Sequence, residues 1–174
     1  RDHRRRNPHR PREHPPRRVD TTGVAVPGDG PSTIGTFLRA FTFGHLRQLD
    51  AVADRVLARA WRLGAGPGSD PLVIDVDSTI AEVHGKQKQG AAYGYTKALG
   101  YHPLLATRAG TGEIVHARMR KGSANSGRGV VRFVDELVAR LRRAGATGQI
   151  TLRADSGFWS WKLVDILDRH AVLW

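Results

Sequence analysis

The stretch Leu72–Thr79, with the sequence LVIDVDST, constrains the chain most, because it joins a short apolar run to two carboxylates. An apolar run of this length that follows Gly- and Pro-rich sequence is typical of a buried β-strand. Alternate side chains of a strand share a face, so Asp75 and Asp77 are predicted to point the same way. Two like charges side by side at the end of a central strand indicate either a metal site or a strand end that opens into water.

A second carboxylate-bearing strand is predicted from Gln149 to Asp155, with the sequence QITLRAD. A strand–helix–strand crossover tends to place its two parallel strands next to each other. If this strand lies beside the first, Asp77 and Asp155 meet at one edge of the sheet. Carboxylate oxygens favour hard ions such as Mg²⁺ or Mn²⁺, and two such ions can promote attack on a phosphodiester.

The net charge of the 174-residue chain is +12, and this excess favours a polyanionic partner, most commonly nucleic acid. Half of the excess lies in residues 1–18, where eight Arg face only two acids. The chain has no Cys, which excludes disulfides and Cys-based zinc sites, and no apolar run of transmembrane length. These features lead us to expect a soluble intracellular protein. We further expect it to be cytoplasmic and nucleoid-associated, without membrane contact or a small-molecule cofactor.

The organisation predicted along the chain has three parts. Residues 1–31 form a basic tail that is either a phosphate-binding arm or a solvated leader, because such a composition cannot bury enough surface to fold alone. Residues 32–63 form a helical segment, in which one helix starts near Ser32 or Thr33 and a second helix, from about His45 to Trp61, has its apolar side chains on one stripe. Residues 71–174 form an α/β domain with a strand, a hairpin, a helix from Val130 to the stop at Gly145, a strand, a short helix and a further strand.

Several basic side chains are candidates for contacts with a phosphate backbone. Arg118 and Arg120 share one predicted strand face with His116. Lys121 and Arg128 lie in the Gly- and Ser-rich loop RKGSANSGRG. A solvated strand face is the alternative. The candidates are Lys86, Lys88, Arg118, Arg120, Lys121 and Arg128. On the long helix, Arg132, Arg140, Arg142 and Arg143 are expected on the outer face.

Four motifs in series, DVDST, GYTKALGYHPLL, RKGSANSGRG and RADSGF, closely resemble the DDE transposases of bacterial insertion sequences over about residues 32–174. The resemblance implies a ribonuclease-H-like mixed sheet, with three antiparallel strands followed by helix, strand, helix and strand. It also implies metal-dependent hydrolysis at transposon ends and strand transfer into target DNA, carried out by a homo-oligomer. Matched to this family, Asp77 is the first catalytic acid, Asp155 is the second, and Asp75 is a neighbouring acid of the metal site.

The family uses a third acid on a later helix, and this chain has no Glu after Glu136. Asp165 and Asp168 fall on the preceding helix, so we expect a truncated site, weaker metal binding and little strand transfer by this chain alone. Trp159 and Trp161 are candidates for stacking on an unpaired base near the cleaved end, with core packing as the alternative.

Two other functions fit parts of the sequence. LVIDVDSTI also resembles the phosphatase motif of the haloacid dehalogenase family, in which Asp75 would be the nucleophile and Asp77 the general acid/base. Here a Gly-rich segment and a hairpin, rather than a helix, follow the motif. The chain could also be a remnant that binds DNA without turnover, which salt-dependent binding without cleavage would indicate.

Overall fold

The computed structural model describes residues 31–85 and 88–174. The predicted tail lies outside these residues except for Pro31, and so does Lys86. The helices are α1 (Pro31–Arg39), α2 (Phe43–Ala60), α3 (Val130–Ala144) and α4 (Trp161–Arg169). The strands are β1 (Leu72–Ser78), β2 (Ala81–Glu82), β3 (Ala92–Tyr93), β4 (Leu99–Tyr101), β5 (Leu104–Arg108), β6 (Ile114–Arg118) and β7 (Ile150–Ala154).

Helices α1 and α2 realise the predicted helical segment, although α1 begins at Pro31 rather than after a cap at Ser32 or Thr33. Pro is well suited to the first turn, because the amide hydrogen that it lacks has no partner there in any helix. Within α2, only Leu57 is buried, and the rest of its large apolar stripe is at least half exposed. The chain separates into two compact units between Leu46 and Arg47.

The main sheet has the strand order β6-β5-β1-β7. Strands β6, β5 and β1 are antiparallel neighbours, and β7 lies parallel to β1 after the α3 crossover. Leu173 pairs with Thr151 of β7 through an isolated parallel bridge. This arrangement confirms the predicted ribonuclease-H-like mixed sheet up to its fifth strand.

The core lies between one face of this sheet and helices α3 and α4. Leu72, Ile74 and Val76 of β1 are buried at alternate positions, as the strand periodicity predicts. The apolar stripe of α3 packs against them, and Phe133 at its centre is completely buried. Gly145 ends α3 in the left-handed conformation that glycine adopts without strain.

A second, three-stranded sheet with the order β2-β4-β3 lies between β1 and the hairpin in the sequence and was not predicted as a sheet. The backbone of this small sheet contacts the backbone of Gly122, at the start of the loop that follows β6. A Cβ at Gly122 would lie 2.0 Å from the carbonyl oxygen of Gly100 and 2.3 Å from that of Ala92. Only glycine permits such an approach.

Arg140 corrects the predicted outer face of α3, because it is buried and its side chain is only 9% exposed. It binds two carboxylates of α2, with 2.9 Å from Nη2 to Asp50 Oδ1 and 2.5 Å from Nε to Asp54 Oδ1. It also donates from Nη1 to the carbonyl of Val115 on β6, at 3.2 Å. Arg140 therefore fastens α2, α3 and β6 together.

In the described residues, no helix combines the length and the apolar composition that a bilayer crossing would require.

Candidate active site at the β1–β7 edge

Asp77 and Asp155, the two acids predicted to meet, lie at the same edge of the main sheet. Strands β1 and β7 pair in parallel, and their register ends with Val76 opposite Ala154. Asp77 is the next residue of β1, and Asp155 directly follows the end of β7. Adjacent strands are about 4.8 Å apart, so the backbones of the two acids are close enough for both carboxylates to reach one ion.

Both carboxylates are exposed, and each keeps one oxygen without a hydrogen-bond partner among the described residues. Oδ1 of Asp77 accepts a hydrogen bond from the amide of Ser78 at 2.7 Å. Oδ1 of Asp155 accepts one from the hydroxyl of Ser156 at 3.3 Å. No cationic side chain of the described residues forms an ion pair with either acid. The two carboxylates are therefore available to a cation from solution.

Asp75, the third acid expected at the metal site, has a different environment. Nε of Arg153 donates to its Oδ1 at 2.6 Å, and Nη2 of Arg153 donates to its Oδ2 at 2.9 Å. The register places these two residues directly opposite each other. This bidentate hydrogen bond holds the pKa of the Asp75 carboxyl below its usual value. Both oxygens of Asp75 therefore accept from Arg153, whereas Asp77 and Asp155 each keep one oxygen without a partner among the described residues.

The donor set that remains fits a hard divalent cation, but with two ligands rather than three. Exposed carboxylate oxygens on adjacent strands are the ligand type that Mg²⁺ and Mn²⁺ prefer. In the described ranges, no group of three or more His, Cys, Asp or Glu is arranged to hold a metal. Asp165 and Asp168 are exposed on α4 and do not complete such a group with Asp77 and Asp155.

The predicted basic face of β6 is only partly present. His116 and Arg120 are buried, so the strand does not present a row of basic groups to solvent. A register shift in the β5–β6 pairing between Ala106 and Thr107 accompanies this break in the simple alternation. Arg118 is partly exposed, but it donates to Glu136 of α3, and its guanidinium lies 5.8 Å from the ring centre of Phe133.

The other basic candidates remain accessible. Lys88, Lys121 and Arg128 are exposed, and none forms an ion pair with another described residue. Trp159 and Trp161 are also exposed, at 56% and 71%, so the alternative that they pack in the core is wrong. Their rings contact each other edge to face, with centroids 5.3 Å apart.

His116 of β6 has an unusual environment for a histidine. Its ring stacks on Phe133 at a centroid distance of 4.5 Å, and neither ring nitrogen has a hydrogen-bond partner in the described structure. Burial lowers the pKa of His116 from 6.5 to about 4. Part of this lowering of the pKa comes from the nearby cations Arg140 and Arg118, whereas Asp50 and Glu136 oppose it.

We expect the free energy of unfolding to fall by up to about 3 kcal/mol as the pH drops from 6.5 to 4. In this range His116 is protonated in the unfolded chain but stays neutral in the folded chain, so acid favours the unfolded state. His116→Phe should remove this loss, since Phe keeps the stacking and leaves no donor unsatisfied. Urea unfolding at several pH values measures the effect, with His84→Asn at an exposed position as the control. An unchanged pH dependence in His116→Phe would contradict the assignment.

Arg153 is the residue of this edge that the sequence reasoning missed. It stands two positions before Asp155, as Asp75 stands two positions before Asp77. The alignment that brings the two acids together therefore also brings Arg153 opposite Asp75. Applied to the whole of both strands, the same pairing rule would have found this ion pair from the sequence.

Residues 30–174 match the family model described as Transposase DDE domain group 1. No curated protein sequence matches the chain. Among solved structures, the catalytic domain of Mos1 mariner transposase aligns at 9% identity and a TM-score of 0.44, over 76% of this chain and 60% of that one. The Mos1 paired-end complex with the left transposon end aligns at 8% identity and a TM-score of 0.41, over 76% and 42%. The chain thus spans about 60% or less of these two structures.

Proposed function

The chain belongs to the transposase DDE domain group 1 family, and on that premise we propose that its β1–β7 edge performs metal-dependent phosphodiester chemistry on DNA. The observation that supports this most is the pairing of β1 with β7, because it puts Asp77 and Asp155 next to each other with free oxygens. The proposed reaction is hydrolysis at a transposon end followed by strand transfer into target DNA.

In this proposal Asp77 and Asp155 hold Mg²⁺ or Mn²⁺, and Ser78 and Ser156 orient their carboxylates through the hydrogen bonds described above. A divalent ion bound there would activate an attacking oxygen and stabilise the leaving oxygen of a phosphodiester. Lys88, Lys121 and Arg128 supply positive surface for the DNA backbone. Asp75 has a structural role, because Arg153 neutralises it.

The phosphatase alternative fits these contacts poorly. A nucleophilic carboxylate needs an oxygen free to attack phosphorus, and Arg153 occupies both oxygens of Asp75. In addition, β1 is followed by short strands and by its antiparallel neighbour β5, rather than by a helix. DNA binding without turnover remains the second candidate, because in the described residues no group of three acids is arranged at this edge to hold a metal.

The metal site is tested by thermal and urea unfolding of the chain with Mn²⁺ or with a chelator. We expect Mn²⁺ to raise the free energy of unfolding, by about 2.7 kcal/mol at a concentration 100 times its dissociation constant. Asp77→Asn and Asp155→Asn should each weaken Mn²⁺ binding at least tenfold. Each should also be slightly more stable than the wild type without metal, because one of two adjacent like charges is gone.

Asp168→Asn is the matched control, since it removes an exposed acid from α4. It should bind Mn²⁺ as the wild type does. If Mn²⁺ stabilises all four proteins equally, the edge is not the metal site. If none is stabilised while DNA binding still weakens steeply with salt, the binding-only function is the correct one.

A further inference from the structure

The loop from Lys121 to Gly129, which we name the clasped loop, is held from within by a buried cation. Arg120 is 9% exposed and donates to four backbone carbonyls. Its Nε bonds the carbonyl of His102 at 2.8 Å. Its Nη1 lies 3.0 Å from the carbonyl of Asn125, 2.9 Å from that of Ser126 and 2.9 Å from that of Arg128.

The clasp explains why a Gly- and Ser-rich segment has a defined shape. Burial of a guanidinium is costly, and it lowers the pKa of Arg120. Charge-assisted hydrogen bonds to converging carbonyls offset that cost. His102 adds a second anchor, because its Nδ1 lies 2.6 Å from the carbonyl of Ala124. The close approach of Gly122 to β4 is the third.

The clasped loop also carries free hydrogen-bond donors. In the described structure, the peptide N–H groups of Asn125, Ser126 and Gly127 have no hydrogen-bond acceptor. Lys121 and Arg128 are exposed at the same loop without an ion-pair partner among the described residues. Consecutive free amides flanked by cations form an environment that suits an anion.

The clasped loop borders the turn that follows Asp155. A Cβ at Gly157 would lie 3.4 Å from Cβ and 3.5 Å from Oγ of Ser126. A Cβ at Gly127 would lie 3.8 Å from the carbonyl oxygen of Gly157. The free amides therefore stand next to the acid-bearing turn rather than on a distant part of the surface.

We propose that Arg120 is a positioning residue that holds the clasped loop in the form that binds a phosphate of the DNA strand beside Asp155. The inference rests on the proposed function, because it names a contact of the same site with its substrate. It assigns to Arg120 an action through the loop backbone, in place of the direct phosphate contact that the sequence suggested. The direct contacts then belong to the loop amides and to Arg128.

The test compares four variants of the chain, Arg120→Met, Arg120→Lys, Arg128→Met and Arg132→Met. Hydrogen exchange of the loop amides and binding of a fluorescent DNA duplex at several salt concentrations are measured for each. In Arg120→Met, the hydrogen-bonded loop amides of Ala124 and Arg128 should exchange at least tenfold faster, while the amides of β1 and β7 keep their protection. DNA affinity should fall about tenfold. The slope of log affinity against log salt concentration should become shallower by an amount that corresponds to more than one phosphate contact.

Arg120→Lys should recover part of both effects, since an ammonium group can still donate to several carbonyls. Arg128→Met should lose about one contact without faster loop exchange. Arg132→Met removes an exposed α3 cation and is the control for lost charge. The inference is overturned if Arg120→Met keeps wild-type exchange in the loop, if its DNA binding equals that of Arg132→Met, or if the wild type binds no DNA. Because no measurement uses Mn²⁺, failure here is distinguishable from failure of the metal site.

Discussion

Gly122→Ala should lower the free energy of unfolding by about 3 kcal/mol or more, which places it among the largest single-residue effects. The added Cβ would lie 2.0 Å from the oxygen of Gly100 and 2.3 Å from the oxygen of Ala92. Both obstacles are backbone atoms of the small sheet, so no side-chain rotation relieves the overlap. Urea unfolding of the purified variant gives the magnitude.

Gly127→Ala is the matched control in the same loop. Its Cβ would meet the nearest atom at 3.8 Å, which is ordinary van der Waals contact, and its stability should be close to that of the wild type. Faster hydrogen exchange in β3, β4 and the clasped loop should accompany the loss in Gly122→Ala. Equal stability of the two variants would show that the backbones do not meet as closely as the structure has them.

Arg140→Met should lower the free energy of unfolding by about 3 kcal/mol, because breaking a buried ion pair leaves uncompensated charges. The cation lies between Asp50 and Asp54 of α2, and its loss leaves these two carboxylates near each other. Partial burial opposes ionisation of Asp50, but the hydrogen bond and charge of Arg140 outweigh it and keep the pKa of the Asp50 carboxyl below its usual value. The stability that the ion pair between Arg140 and Asp50 contributes is present at neutral pH and disappears only below about pH 4.

Arg143→Met provides the comparison, since Arg143 contacts the same Asp54 at 3.2 Å but is 64% exposed. Its effect should stay within about 0.5 kcal/mol. Adding Asp50→Asn to Arg140→Met should recover part of the lost stability, because it removes one of the stranded charges. If Arg140→Met and Arg143→Met unfold at the same urea concentration, α2 does not depend on Arg140 for its attachment.

The main elements could be predicted because their signals are local. The apolar run of β1, the apolar stripe of α3 and the stop at Gly145 each depend on residues within one element. The small β2-β4-β3 sheet could not be predicted in this way, since its strands have only two or three residues. Its existence depends on glycine contacts between segments that are far apart in the sequence.

The sequence could predict those parts of the candidate site whose positions follow from the topology of the sheet alone. The crossover through α3 brings Asp77 and Asp155 together whatever the side chains around them. Burial of a polar group depends instead on what covers it, and this is why His116, Arg120 and Arg140 were expected at the surface. A basic residue on a strand or helix indicates solvent only when no other element covers that position.

The ion pair between Asp75 and Arg153 sets the electrical balance of the β1–β7 edge. Because the positive charge of Arg153 cancels the negative charge of Asp75, the formal charge that remains at this edge comes from the carboxylates of Asp77 and Asp155. One dication neutralises that sum, whereas a second would leave the edge electropositive unless a further anion, such as a substrate phosphate, arrived with it. The stoichiometry of ion uptake should therefore change when polyanion is added.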